Sequence, residues 1–230
     1  MKKNILLIGG SSGIGLATAK LLTDSHEVYI ASRSSDSLAG LGIHHLPFDV
    51  MTDDLSTLGL PSEFSGFVYC PGSINLRPFK GLKPDAFETD FQINVMGFVK
   101  CLQAILPKLT TNSSVVLYST VAVKVGMPFH ASVAASKGAL EGLGKSLAAE
   151  LAPKTRVNVI APSITNTPLA DRFLNNEAKL EKSAQRHPLK RVGEAGDIAA
   201  MTRFLLSDES SWMTGQIIGL DGGMSTLNTH

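Results

Sequence analysis

Near the start of the chain, Gly9-Gly10-Ser11-Ser12-Gly13-Ile14-Gly15 has the residue types that let a backbone close on a phosphate. Glycine turns sharply and puts no side chain between the main chain and a pyrophosphate. The segment follows the apolar run Ile5-Leu6-Leu7-Ile8 and precedes a helical pattern with Ile14, Ala17, Leu21 and Leu22. A helix starting there aims unpaired N–H groups and its positive dipole end at an anion. An ordinary glycine turn is the competing reading, and the placement between a buried strand and an amphipathic helix weighs against it. The expected contacts are Gly9, Ser11, Ser12, Gly13, Ile14 and Gly15. After the second apolar run comes Ser32-Arg33-Ser34, with no acid at the tip. A carboxylate at this point binds a free ribose 2′-OH. Arg33 instead offers a planar fork to a 2′-phosphate, and Ser32 and Ser34 offer hydroxyls. A solvated surface arginine is the alternative. The balance favours NADP(H) over NAD(H).

Other reactive side chains are scattered. His44 and His45 are neighbours on an expected strand and point to opposite faces. His26, His187 and His230 stand apart, with surface positions the default, so no metal site is expected. Two cysteines, Cys70 and Cys101, are too few for a disulfide framework. Free thiols in a reducing compartment are the simpler reading, with Cys70 an inert buried thiol rather than a redox switch.

The elements that must position these residues alternate. Strands are expected at residues 5–8, 28–31, 44–48, 67–70, 115–118, 157–160 and 216–220. Helices are expected after the glycine loop, over 87–106 before Pro107, over 131–151 before Pro153, and over 198–206. The runs are continuously apolar, as in strands buried on both faces. The alternation implies βαβ units: an α/β Rossmann fold in one domain over 1–230, with a doubly wound parallel sheet of about seven strands and helices on both faces. Residues 32–37 read as a loop with at most a stub of helix. Residues 166–188 mix charged and polar side chains and read as a small helical flap that sets specificity. Met127, Phe129 and Leu169 are candidates for an apolar pocket wall.

Composition narrows the partners. With 230 residues, 43% hydrophobic and 18% charged, the chain is an ordinary globular sequence long enough for one well-buried α/β domain. A net charge of +1 and no run of Lys and Arg argue against nucleic acid or an anionic membrane as partner. The basic start Met1-Lys2-Lys3 precedes an apolar run too short for a signal peptide. No stretch approaches the roughly 18 apolar residues needed to cross a bilayer. A cytoplasmic protein is expected.

Over essentially its whole length the chain resembles the classical short-chain dehydrogenase/reductase family. The spacing of Gly9, Gly13 and Gly15 is similar to that family's Gly-x-x-x-Gly-x-Gly loop. Asp49-Val50 after the third strand resembles the adenine-contacting pair. Pro71-Gly72 stands at the cofactor-lining turn after the fourth strand. Asn94 in Asn94-Val95-Met96-Gly97 resembles the catalytic-site asparagine, and Lys137 in Ala135-Ser136-Lys137-Gly138 the catalytic lysine, which also holds ribose hydroxyls. Asn158-Val159-Ile160-Ala161-Pro162, with Ile164 and Thr167, resembles the segment folding over the nicotinamide. Leu220-Asp221-Gly222-Gly223 resembles the C-terminal signature. By the same resemblance, the helices over 87–106 and 131–151 form subunit faces, implying a homotetramer or homodimer.

The chain departs from the pattern where proton transfer is expected. Four residues before Lys137, where the family has tyrosine, stands Val133; thirteen residues earlier, where it has serine, stands Thr120. Threonine keeps the hydroxyl. Valine removes the proton donor, and general acid catalysis is worth about 10²–10⁴ in rate. His130, three residues before Val133, is the nearest titratable substitute, with a loop or helix-start histidine as the blander alternative. Tyr118 reads as core, Tyr69 is a weaker candidate, and Lys137 acting alone is a further one. The expectation is an NADP-dependent oxidoreductase on a carbonyl or alcohol substrate, with Asn94, Thr120, Lys137 and His130 as its catalytic set. The substrate is a small molecule whose identity stays open, from fatty-acyl thioesters and sugars to steroids and small ketones. The alternatives are a non-catalytic NADP-binding sensor or partner subunit, and a non-redox dehydratase or isomerase on the same fold.

Overall fold

The computed structural model describes residues 2–228; Met1 and His230, named above, lie outside the described residues. Seven strands form one parallel sheet: β1 (Lys3–Ile8), β2 (His26–Ser32), β3 (His44–Pro47), β4 (Phe64–Tyr69), β5 (Leu109–Tyr118), β6 (Thr155–Pro162) and β9 (Ile217–Leu220). Their order is β3-β2-β1-β4-β5-β6-β9. The direction of winding reverses between β1 and β4, which opens a crevice beyond the carboxyl ends of those strands. A separate parallel ladder, β7 (Thr165–Asn166) with β8 (Gly193–Glu194), pairs Thr165 with Gly193 and is too short to read from sequence.

Alternation along β1 shows why the sheet needs cover on both faces. Leu6 and Ile8 enter one core, with Phe98, Ile105 and Leu140. Ile5 and Leu7 enter the other, with Leu22, Ile198 and Leu205. The first core is closed by α3 (Gly97–Ile105) and α4 (Ala131–Leu151), the second by α1 (Gly13–Leu22) and α7 (Ala195–Leu206).

The long helix expected over 87–106 starts earlier and is not uniform. It opens as α2 (Pro84–Phe91), with Pro84 in the first turn where its missing N–H costs nothing. It then passes through a π turn, Gln92–Met96, into α3. Between β7 and β8 lie α5 (Asp171–Leu174) and α6 (Glu177–Ala184), the latter capped by Asn176 through Lys179 N–H. Among the described residues, no helix is long and apolar enough to cross a membrane.

Candidate active site

A cavity of about 550 Å³ occupies the crevice. On one side lies the turn from β1 into α1. Gly9 and Gly13 take left-handed backbone conformations, at φ +72° and +51°. A Cβ on Gly15 would stand 2.8 Å from Gly10 Cα, so the loop closes only around hydrogen at that position. Ser12 is the N-cap, and its side chain makes no capping bond. The first intrahelical bond runs from Leu16 N–H to Ser12 O. The first-turn N–H groups therefore have no helical partner, and no acid stands beside them. This cradle of bare backbone suits a phosphate. Thr167 and Pro168 cover it from above, within 3.3 and 3.8 Å of the position a Gly13 Cβ would take.

The residues expected to hold the rest of a dinucleotide lie around the rim. Pro71 packs on Gly9. Ser11 lies outside the cavity, and its carbonyl accepts the Ser37 hydroxyl. Ser32 is buried and donates to Ser34 O at 2.9 Å, with His45 Nε2 3.2 Å from its hydroxyl. Arg33 is exposed, with no hydrogen bond or ion pair among the described residues. Asp49 Oδ1 accepts from Met51 N–H, and Val50 packs against the core. Gly72, Pro162 and Ile164 border the cavity or its lining, Gly72 and both of the others directly.

The deep wall carries the polar machinery. Lys137 is buried, donates to Tyr118 O at 2.8 Å, and is lowered to about 8 by burial, which Cys70 and Asp90 partly offset. Asn94 sits in the π turn and donates to Ser136 Oγ at 3.0 Å and Ser73 Oγ at 3.3 Å. Its Oδ1 is buried with no partner among the described residues. A Cβ on Gly72 would lie 3.5 Å from both that oxygen and Lys137 Nζ. A buried ammonium and an orphaned acceptor thus face one small space that glycine leaves open. A ribose hydroxyl or a water would satisfy both. The cradle and this pair together fit a pyridine dinucleotide.

Thr120, two residues past the end of β5, lines the cavity; its Oγ1 accepts from Ala122 N–H at 3.3 Å, which leaves its proton for a ligand. Val133 lines the cavity one turn before Lys137. His130 is the N-cap of α4, and its Nδ1 lies 2.7 Å from Pro128 O. Donation to that carbonyl requires the proton on Nδ1 and leaves Nε2 for the cavity.

Other readings are settled by packing. Tyr118 Oη bonds Thr202 Oγ1 at 2.8 Å, and Tyr69 Oη donates to Ile93 O at 2.6 Å. Burial pushes both phenols well above their ordinary value, so neither is poised to give up a proton. Burial also pushes the Cys70 thiol up to about 12, which makes it an inert lining group. His187 corrects the surface expectation: it is 1% exposed, with Nε2 2.7 Å from Ser163 Oγ and Nδ1 2.9 Å from Ser183 O. It pins the C-terminal end of α6 to the segment after β6. Of the apolar wall, Met127 and Leu169 line the cavity, whereas Phe129 is exposed at a positive φ of 70°.

Sequence reading missed Asp90, which is fully buried on α2. Its Oδ1 accepts from Ser73 Oγ at 2.5 Å and Asn75 Nδ2 at 2.7 Å, and its Oδ2 accepts from Ser132. Ser73 joins this carboxylate to Asn94 and itself lines the cavity. The available signal was the i, i+4 spacing of Asp90 and Asn94, which puts both on one helix face.

A family model described as enoyl-(acyl carrier protein) reductase matches residues 62–225. The 3-oxoacyl-acyl-carrier-protein reductase FabG of Thermotoga maritima is 36% identical over 96% of this chain and 97% of its own. The 2,5-dichloro-2,5-cyclohexadiene-1,4-diol dehydrogenase of Sphingobium indicum is 29% identical over 98% of each. Among solved structures, a short-chain type dehydrogenase/reductase from Mycobacterium ulcerans superposes with a TM-score of 0.88 at 29% identity, covering 97% of this chain and 90% of that one.

Proposed function

Because the chain belongs to the short-chain dehydrogenase/reductase family, we propose that it is an NADP-dependent oxidoreductase acting between a carbonyl and an alcohol, with an active site rebuilt around Val133. The observation that carries this reading is the convergence of the glycine cradle, Lys137 and Thr120 on one cavity at the switch point of the sheet, with Asn94 Oδ1, unpartnered among the described residues, facing Gly72 on its wall. Gly9, Ser12, Gly13, Ile14 and Gly15 hold the pyrophosphate, with Ser11 behind the loop. Arg33 pairs with the 2′-phosphate, flanked by Ser32. Asp49 and Val50 border the adenine. Pro71, Gly72, Pro162, Ile164 and Thr167 enclose the nicotinamide end, and Lys137 holds the ribose. When bound, NADPH would supply a hydride there.

The protein's own part is to orient the carbonyl and deliver a proton. The Thr120 hydroxyl donates to the carbonyl oxygen. Val133 presents an apolar surface where the family places tyrosine, so the proton must come from elsewhere. His130 is the donor in this reading. Its Nδ1–H is anchored on Pro128 O, and its protonated Nε2 gives the oxygen a proton as the alcohol forms.

NADPH titration by intrinsic-fluorescence quenching, followed by absorbance with a panel of carbonyl compounds, tests the assignment. Binding with oxidation is expected, and His130→Gln lowers kcat by about 10²–10⁴ without changing the NADPH Kd. A second reading, an NADP-binding sensor or partner subunit, has Val133 in its favour. Tight NADPH binding with no turnover across the panel would establish it.

A further inference from the structure

The cavity is bordered by five Lys and Arg side chains and by no carboxylate. Lys137 lies at the bottom; Arg172, Lys179, Lys182 and Arg186 come from α5, α6 and the turn after it. Among the described residues, none of these flap cations is in an ion pair. Lys179 Nζ donates only to neutral acceptors, Arg172 O and Asn175 Oδ1. Arg172 donates to Ile74 O and stacks 4.6 Å from the Phe173 ring centroid. Arg186 approaches only Met127 Sδ, at 4.0 Å. The Lys182 ammonium makes no hydrogen bond among the described residues. In a chain of net charge +1, this is a local excess of positive charge at a cavity mouth. Apolar walls of low dielectric focus such a field on the cleft.

The position of these cations separates them from the cofactor cradle. Arg172 and Arg186 are tied to Ile74 and Met127, in the segments after β4 and β5, on the side that carries His130. The flap meets the glycine loop through Thr167 and Pro168, which carry no charge. The same cavity is lined by the apolar side chains Leu76, Met127, Val133 and Phe173 as well as by Thr120.

We propose that the substrate is an amphiphilic anion. Its carbonyl end meets Thr120, its apolar stretch fills the cavity, and its carboxylate or phosphate is held by the cations of the flap. Guanidinium groups match both head groups in a two-pronged geometry. This proposal rests on the oxidoreductase reading for the carbonyl end, but anion capture is measurable without any turnover.

The test is calorimetric titration of the protein with octanoate, octyl phosphate and the neutral isostere octanamide. At least one of the anions is expected to bind about tenfold or more tightly than octanamide, and the stronger of the two identifies the head group. The preference should shrink between about 0.05 and 0.5 M salt, as the Debye length falls several-fold. In Lys182→Gln/Arg186→Gln it should fall to near one, while octanamide binding is unchanged. Equal affinity of anions and amide, or no binding of any of them, overturns the proposal. Displacement of the anion by saturating NADP⁺ also overturns it, because the cations would then serve the cofactor. The NADPH titration of wild-type protein is scored separately. Failure there with anion preference intact overturns the cofactor assignment and leaves the anion site standing.

Discussion

On the side of the cavity made by α2, the π turn and α4, the polar side chains are buried and hydrogen-bonded, Lys137 to the Tyr118 carbonyl and the others to one another or through Ser73. Asp90, Asn94, Ser132, Ser136 and Lys137 are each at most 7% exposed. On the facing side, α5, α6 and the turn after it present Arg172, Lys179, Lys182 and Arg186 to solvent, none of them in an ion pair among the described residues. The first wall has one geometry available, because moving any member strands a buried polar partner. The second has many, because exposed charges keep their hydration whatever they face. Groups that must be held in one fixed relation belong on the first wall. Capture of a mobile anionic tail belongs on the second.

The largest effect that could break this contrast comes from Asp90→Ala. Removal of the carboxylate leaves Ser73, Asn75 and Ser132 without their shared acceptor in a fully buried site. A loss of about 3 kcal/mol is expected, seen as a fall in Tm on the order of 10 °C for a chain of this size. Lys182→Gln/Arg186→Gln should change stability by about 0.5 kcal/mol or less. If the flap pair costs as much as Asp90, the two walls are not different in kind.

A smaller effect, specific to the buried wall, follows from Lys137. Its folded value of about 8 lies below the ordinary 10.5. Between those values the unfolded chain binds a proton that the folded chain does not. Stability therefore rises with pH through that window, by up to about 1.4 kcal/mol per pH unit from this one group. The buried thiols and phenols, raised by burial, pull stability the other way above about pH 9 in wild type and variant alike. The Lys137 contribution is therefore read as a difference: in urea unfolding from pH 8 to 10 the slope of Lys137→Met should be less positive than that of the wild type. A flap lysine replaced by Met should leave the slope as it was. An unchanged slope in Lys137→Met would mean that the buried amine titrates as it does in water.

The same contrast explains what could be read from the sequence. Strands buried on both faces are runs of apolar residues, and β1, β2 and β4 to β6 stood out on that basis. The glycine loop was visible because left-handed backbone and close approach leave a residue-type signature. Asp90 left almost none. Its burial depends on Ser73, Asn75 and Ser132, which come from two other segments and meet it only after folding. His187 was invisible for the same reason, since Ser163 arrives from the far side of the β7 ladder. The π turn escaped because helical periodicity over 84–105 is nearly unchanged by one extra residue in a turn. Apolar patterning is local and was legible, whereas polar satisfaction is tertiary and was not.

The smallest effect concerns a charge that belongs to neither wall. Arg33 is exposed one residue beyond β2 and does not line the cavity. Its role in the proposed function is to pair with a 2′-phosphate, a group that NADPH has and NADH lacks. Arg33→Ala should weaken NADPH binding by about tenfold and leave NADH binding and Tm unchanged. Salt should weaken the wild-type NADPH complex more than the variant complex, because an exposed ion pair is screened and a lost one cannot be. Equal weakening of both cofactors would remove the 2′-phosphate assignment and leave the cofactor preference to the backbone cradle, which makes no distinction between them. If octanoate affinity fell together with NADPH affinity in Arg33→Ala, the flap and the β2 tip would be parts of a single anion field, and the separation of substrate capture from cofactor capture would fail.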